Sequence, residues 1–139
     1  MSAHAILYAI DPFPPGRFGR SYHRPIAYGE VNRSSNGSVH FLQCYSKQAI
    51  EQFRSIESEP IDFLFIDGDH SYEGVQTDWN LWTPLIGAGG IVALHDSRAY
   101  PGREIHEMGP ARFTRDVVLR NADFELIQEV DSLTVVRRR

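Results

Sequence analysis

The sequence predicts an α/β protein: a doubly wound, mostly parallel sheet ending in an antiparallel hairpin, organised as one domain over residues 1–139. Three observations carry this. Short apolar runs alternate with stretches of helical spacing, several of these runs stop at an acid or a breaker, and the last two are separated by only two residues. Alternating strands and helices imply parallel strands joined by right-handed crossovers.

Ala5 to Ile10 (AILYAI) is short, apolar and halted by Asp11-Pro12, as expected of a strand buried on both faces. From Pro12 to Gly37 the chain is rich in Pro, Gly, Arg and Ser, which leaves room for one weak helix around Ile26 to Asn32. Val39 to Cys44 reads as a strand with Cys44 on its core side. Ser46 then offers an N-cap to a helix whose Ile50, Phe53 and Ile56 recur at helical spacing. Ile61 to Ile66 (IDFLFI) is the strongest strand signal, and it runs directly into the polar cluster DGDHSYEG. Tyr72 to Ile86 places Val75, Trp79, Trp82 and Ile86 on one helical face, with Gly87 beyond as a stop. GGIVAL is a further buried strand ending at His95-Asp96, followed by a loop to about Pro110 and a helix over Ala111 to Arg120. Phe124 to Val130 and Leu133 to Val136 form the hairpin, with Asp131-Ser132 as its turn and Arg137 to Arg139 as a solvated tail.

Hydrophobic residues at 42% and charged residues at 23% are ordinary for a globular domain and argue against disorder, collagen and coiled coil. A net charge of -4 disfavours a nucleic-acid surface built on bulk charge. Neither a secretory signal nor an apolar run of membrane-spanning length, about 20 residues, occurs in the sequence. A single cysteine cannot form an internal disulfide, so a reducing, cytoplasmic setting is expected.

In open α/β sheets ligands bind outside the carboxyl ends of the strands. Asp11, then Asp67, Asp69 and His70, then His95 and Asp96 follow three such ends. Parallel neighbours lie about 4.8 Å apart, so Asp67, His95 and Asp96 can converge on one divalent cation if their strands are adjacent. Carboxylates plus one imidazole suit magnesium or manganese, with zinc or iron as alternatives. The competing reading makes Asp67 and Asp96 caps and gives His95 a backbone carbonyl. Asp11 sits where a carboxylate accepts two ribose hydroxyls, or it is a turn residue before Pro12. His70 is either a general base for a substrate hydroxyl or a helix-start residue. Trp79 and Trp82 read as core, with an adenine-stacking surface as the alternative.

The segment FLFIDGDHSYEGVQTDWNLWTPLIGAGGIVALHDS resembles the core of the family-24 class I methyltransferases, which depend on S-adenosylmethionine (SAM). AILYAIDPF resembles that family's second strand, whose acid binds the SAM ribose. The resemblance implies a Rossmann-like fold and methyl transfer from SAM to an oxygen of a small-molecule acceptor. It implies Asp11 at the SAM ribose and Asp67, His95 and Asp96 around a divalent cation, magnesium first; beside these, Asp67, Gly68 and Asp69 are expected on the cofactor side and His70 as catalytic residue. That family begins with a strand, a glycine-rich turn and a helix, whereas here Met1 nearly abuts the second strand and Gly16 and Gly19 follow Asp11. The first strand and helix of the methyltransferase fold are therefore expected to be missing, with weak or lost SAM binding. Two alternatives are a non-catalytic remnant binding a partner or nucleotide, and a metal-dependent hydrolase.

Losing a middle strand would hold the Ala5 and Ile61 strands about 9.6 Å apart with backbone groups unpaired. Direct pairing of these two strands is expected, in the order Val39, Ala5, Ile61, Gly90 and hairpin. A homodimer supplying the missing strand is the alternative.

Overall fold

The computed structural model describes residues 5–14, 23–33 and 37–139. Gly16 and Gly19, and with them much of the irregular stretch from Pro12 to Gly37, lie outside the described residues. The chain divides into two compact units, Met1–Ile56 and Glu57–Arg139.

The first unit is a β-α-β-α run of β1 (Ile6–Ile10), α1 (His23–Arg33), β2 (Ser38–Leu42) and α2 (Ser46–Ile56). β1 and β2 pair in parallel from Ile6 opposite Ser38 to Ile10 opposite Leu42. Aromatic rings fix this pair to its surroundings: Tyr8 meets Phe53 of α2 edge-on at 5.0 Å, and Tyr28 of α1 stacks on Phe41 at 4.1 Å. Ser46 is the first residue of α2, not its cap, because the amides of Gln48 and Ala49 both donate to the Tyr45 carbonyl. Cys44 lies beyond the end of β2 and is half-buried, so it is a turn residue and not part of the strand core.

The second unit contains β3 (Ile61–Ile66), α3 (Tyr72–Trp82), β4 (Ile86–Leu94), α4 (Gly109–Asp116), β5 (Phe124–Val130) and β6 (Leu133–Arg138). The order across its sheet is β3-β4-β6-β5, with β3 parallel to β4 and the remaining pairs antiparallel. The hairpin therefore forms at the edge as expected, and its turn places Asp131 at φ 48°, a left-handed conformation that Asp tolerates better than most residues.

Ile66, Val75, Trp79, Val92, Leu94, Phe113 and Val136 form the core of this unit. Burial of these side chains is the main force holding α3 and α4 to the sheet. Trp79 packs on Phe124 at 4.9 Å and on Phe113 at 6.2 Å, and Trp82 is buried as well, so both tryptophans do core work.

Three expectations need correction. The long helix stops at Trp82 and tightens into a 3-10 turn over Thr83–Leu85, because Pro84 has no amide to continue the helical ladder and Thr83 precedes it. Ile86 accordingly opens β4, which bulges through Gly87 to Gly90 with Gly89 at φ 80° before Ile91 pairs with Phe63. Arg137 and Arg138 are strand residues, not a tail. Arg138 donates to the carbonyls of Thr83 at 3.1 Å and Ile86 at 2.6 Å, satisfying groups that the helix end leaves open.

The expected pairing of the Ala5 strand with the Ile61 strand is absent among the described residues: β1 pairs with β2, and β3 with β4. No helix among the described residues is long and apolar enough to cross a membrane.

Phe113 is fully buried between Tyr72 and Trp79. Phe113→Ala should cost about 3–5 kcal/mol of stability, read from the urea midpoint, whereas a loss below about 1 kcal/mol would contradict this core assignment.

Candidate metal and cofactor site

The parallel register of the second unit sets Ile66 opposite Leu94, and the His95 amide donates to the Ile66 carbonyl at 3.0 Å. Asp67 and His95 therefore leave the sheet side by side. Asp67 Oδ1 lies 3.0 Å from His95 Nδ1 and 3.4 Å from His70 Nε2. The side chains of Asp67, His70 and His95 each offer a ligand atom within 4.8 Å of the others.

His70 is brought into the cluster by the turn ahead of α3. Asp69 accepts from the Ser71 amide at 2.9 Å and from its hydroxyl at 3.1 Å, while Ser71 Oγ accepts from the Gly74 amide at 2.9 Å. Asp69 and Ser71 thus build the N-cap, and the carboxylate of Asp69 is engaged there. Gly68 leaves room for Asp78, whose Oδ2 would stand 2.8 Å from an added Cβ. Gly109 at the start of α4 lies so close to the backbone of His70, Ser71 and Tyr72 that any Cβ there would collide with it. Gly109 is a positioning residue that only the folded chain reveals, since it is distant in sequence from the DGDH cluster.

Asp96 behaves differently from Asp67. It is buried at 1% exposure and holds φ 47°. Its Oδ2 accepts from Arg103 Nη2 at 2.6 Å. Burial pushes its carboxyl pKa up, but the hydrogen bond and charge of Arg103, the neighbouring His95 and a hydrogen bond with Ser132 outweigh that and hold it below the usual carboxylate value. Oδ1 of Asp96 has no hydrogen-bond partner among the described residues and stands 3.7 Å from His95 Nδ1. Ser97, next in sequence, ties the following loop down by donating its hydroxyl to Leu94 O at 2.8 Å and its amide to Ser132 O at 2.9 Å. Neither Arg103 nor Ser97 was legible as a site residue, because nothing in a loop sequence predicts which carboxylate an arginine will reach.

The residues present fit a divalent cation. His95 Nδ1 is buried with no aligned hydrogen bond although a carboxylate oxygen is 3.0 Å away, and a carboxylate with two imidazoles is a donor set that metal ions use. In the first unit Asp11 is exposed, and its Oδ1 accepts from the Phe13 amide at 2.6 Å, which makes it the turn residue at the end of β1.

Arg103→Met leaves the Asp96 charge buried without its partner. Because the Arg103 side chain is itself 45% exposed, the cost should stay near the lower end of about 1–3 kcal/mol. Adding Asp96→Asn should recover part of it by removing the charge. Chemical denaturation checks both, and an unchanged midpoint for Arg103→Met would contradict the pairing.

Comparison with known proteins places this geometry in a family. An uncharacterised protein of Sinorhizobium fredii is 30% identical over 95 residues, covering 65% of this chain and 10% of its own length. A Corynebacterium glutamicum protein of known structure superposes with a TM-score of 0.63 at 19% identity over 96% of this chain and 61% of its own. The O-methyltransferase from Bacillus cereus, solved in complex with SAH, gives a TM-score of 0.56 at 16% identity over 96% of this chain and 74% of its own. The chain thus spans a small part of the curated relative it matches and about three-fifths of the Corynebacterium structure. The superpositions show a Rossmann-like fold. A model of the methyltransferase-domain family matches residues 2–97, and the chain belongs to that family, the family-24 class I methyltransferases.

Proposed function

We propose that this chain serves SAM-dependent methyl transfer to an oxygen of a small-molecule acceptor, assisted by a divalent cation beside Asp67 and His95. The observation that carries the reading is the family match over residues 2–97 together with the cluster of Asp67, His70, His95 and Asp96 at the carboxyl ends of β3 and β4. Support for SAM comes from the similar Bacillus cereus O-methyltransferase, which was solved with SAH.

A cation held there supplies Lewis acidity that lowers the pKa of an acceptor hydroxyl and fixes its oxygen. The chain's own residues do the remaining work. Asp67 and His95 offer the donor atoms. Arg103 neutralises Asp96, so that one buried negative charge beside the site is already balanced. Asp11 offers a carboxylate oxygen to the ribose hydroxyls at the end of β1.

Titration calorimetry with SAM and with its demethylated product tests the reading. Saturable binding of both ligands, weakened roughly tenfold by Asp11→Ala, is expected. Absence of heat with both ligands at millimolar concentration, or an affinity untouched by Asp11→Ala, would contradict it.

A further inference from the structure

We infer that the cation site is a two-histidine, one-carboxylate site formed by Asp67, His70 and His95, selective for a transition-metal ion such as zinc, manganese or iron over magnesium. Asp96 lies behind this set, with its Oδ2 facing both Arg103 and His70. This deepens the metal-assisted reading and rests on it for its purpose, but it is measured without SAM or acceptor.

Four observations converge. First, two of the three donor separations fit a shared ion. Two ligands about 2.1 Å from one metal and at right angles to each other are about 3.0 Å apart, and about 3.4 Å at a tetrahedral angle. Asp67 Oδ1 to His95 Nδ1 is 3.0 Å, and Asp67 Oδ1 to His70 Nε2 is 3.4 Å.

Second, His95 Nδ1 is buried and unsatisfied despite that 3.0 Å approach. A ring nitrogen and an oxygen that share an ion each aim at the ion and not at one another, so a short, oblique contact is what they leave behind.

Third, one oxygen of Asp96 is committed elsewhere. Its Oδ2 is taken by Arg103 at 2.6 Å, and the same oxygen lies 3.7 Å from His70 Nδ1. His70 therefore turns Nε2 toward Asp67 and Nδ1 toward a carboxylate. Histidine ligands are commonly held this way, with the far ring nitrogen facing an acid that sets tautomer and orientation.

Fourth, the donor types discriminate between ions. Magnesium prefers oxygen ligands and dehydrates reluctantly, whereas two imidazoles and one carboxylate with open positions suit iron, zinc and their neighbours. The side chains of His70 and Asp67 are each 41% exposed, so the set is open to solvent.

The test is titration of the purified full chain with Zn²⁺ and Mg²⁺ by calorimetry, paired with visible absorption of the Co²⁺-loaded protein. One Zn²⁺ per chain should bind at least about 100-fold more tightly than Mg²⁺. His70→Asn should weaken Zn²⁺ at least tenfold and shift the Co²⁺ bands, with circular dichroism unchanged because this side chain is partly exposed. Asp67→Asn and His95→Asn should weaken it similarly. Asp96→Asn should have a smaller effect on Zn²⁺ than His70→Asn. Equal or tighter Mg²⁺ binding, Zn²⁺ affinity unaltered in His70→Asn, or a larger loss in Asp96→Asn than in His70→Asn would each overturn the inference. Failure of SAM binding with Zn²⁺ binding intact would instead overturn the proposed methyl transfer and leave this site standing.

Discussion

Parallel pairing of β3 with β4 sets almost everything in the second unit. With Ile66 opposite Leu94, the next residues on the two strands are Asp67 and His95, and no other register brings that carboxylate and that imidazole together at the carboxyl edge. A shift by one residue would also turn Ile66 and Leu94 out of the core, so the packing that stabilises the sheet holds the register that builds the site. The bulge through Gly87 to Gly90 absorbs the extra residues at the start of β4 and keeps that register further along.

A buried acid beside such an edge is expensive unless something balances it. Arg103 does this for Asp96, and the left-handed backbone at Asp96 swings the chain from the strand into the loop that delivers Arg103. Ser97 then anchors the loop to the hairpin turn. Local strain of this kind persists where the surrounding contacts determine it, and here it lies at Asp96 itself, next to His95.

Strand and helix positions were legible because they rest on local patterns. β3 begins and ends at the residues its apolar run predicts, and the hairpin turn falls on Asp131-Ser132. The helix after DGDH was drawn four residues too long because its apolar face continues to Ile86, while the stop depends on Pro84 and on Arg138, a partner more than fifty residues away. The acids and imidazoles of the site could be named from strand ends alone. Their roles could not: whether Asp96 or His70 completes the set depends on where Arg103 reaches, and Gly109 matters only because α4 packs against the His70 turn.

The central claim is that one carboxylate and two particular ring nitrogens share an ion. Nitrogen-15 NMR of the histidine rings during Zn²⁺ titration reads those atoms directly. Nε2 of His70 and Nδ1 of His95 should both move to metal-bound shifts at one equivalent, with the opposite nitrogens protonated. A response at His95 alone, or at neither ring, would contradict the account.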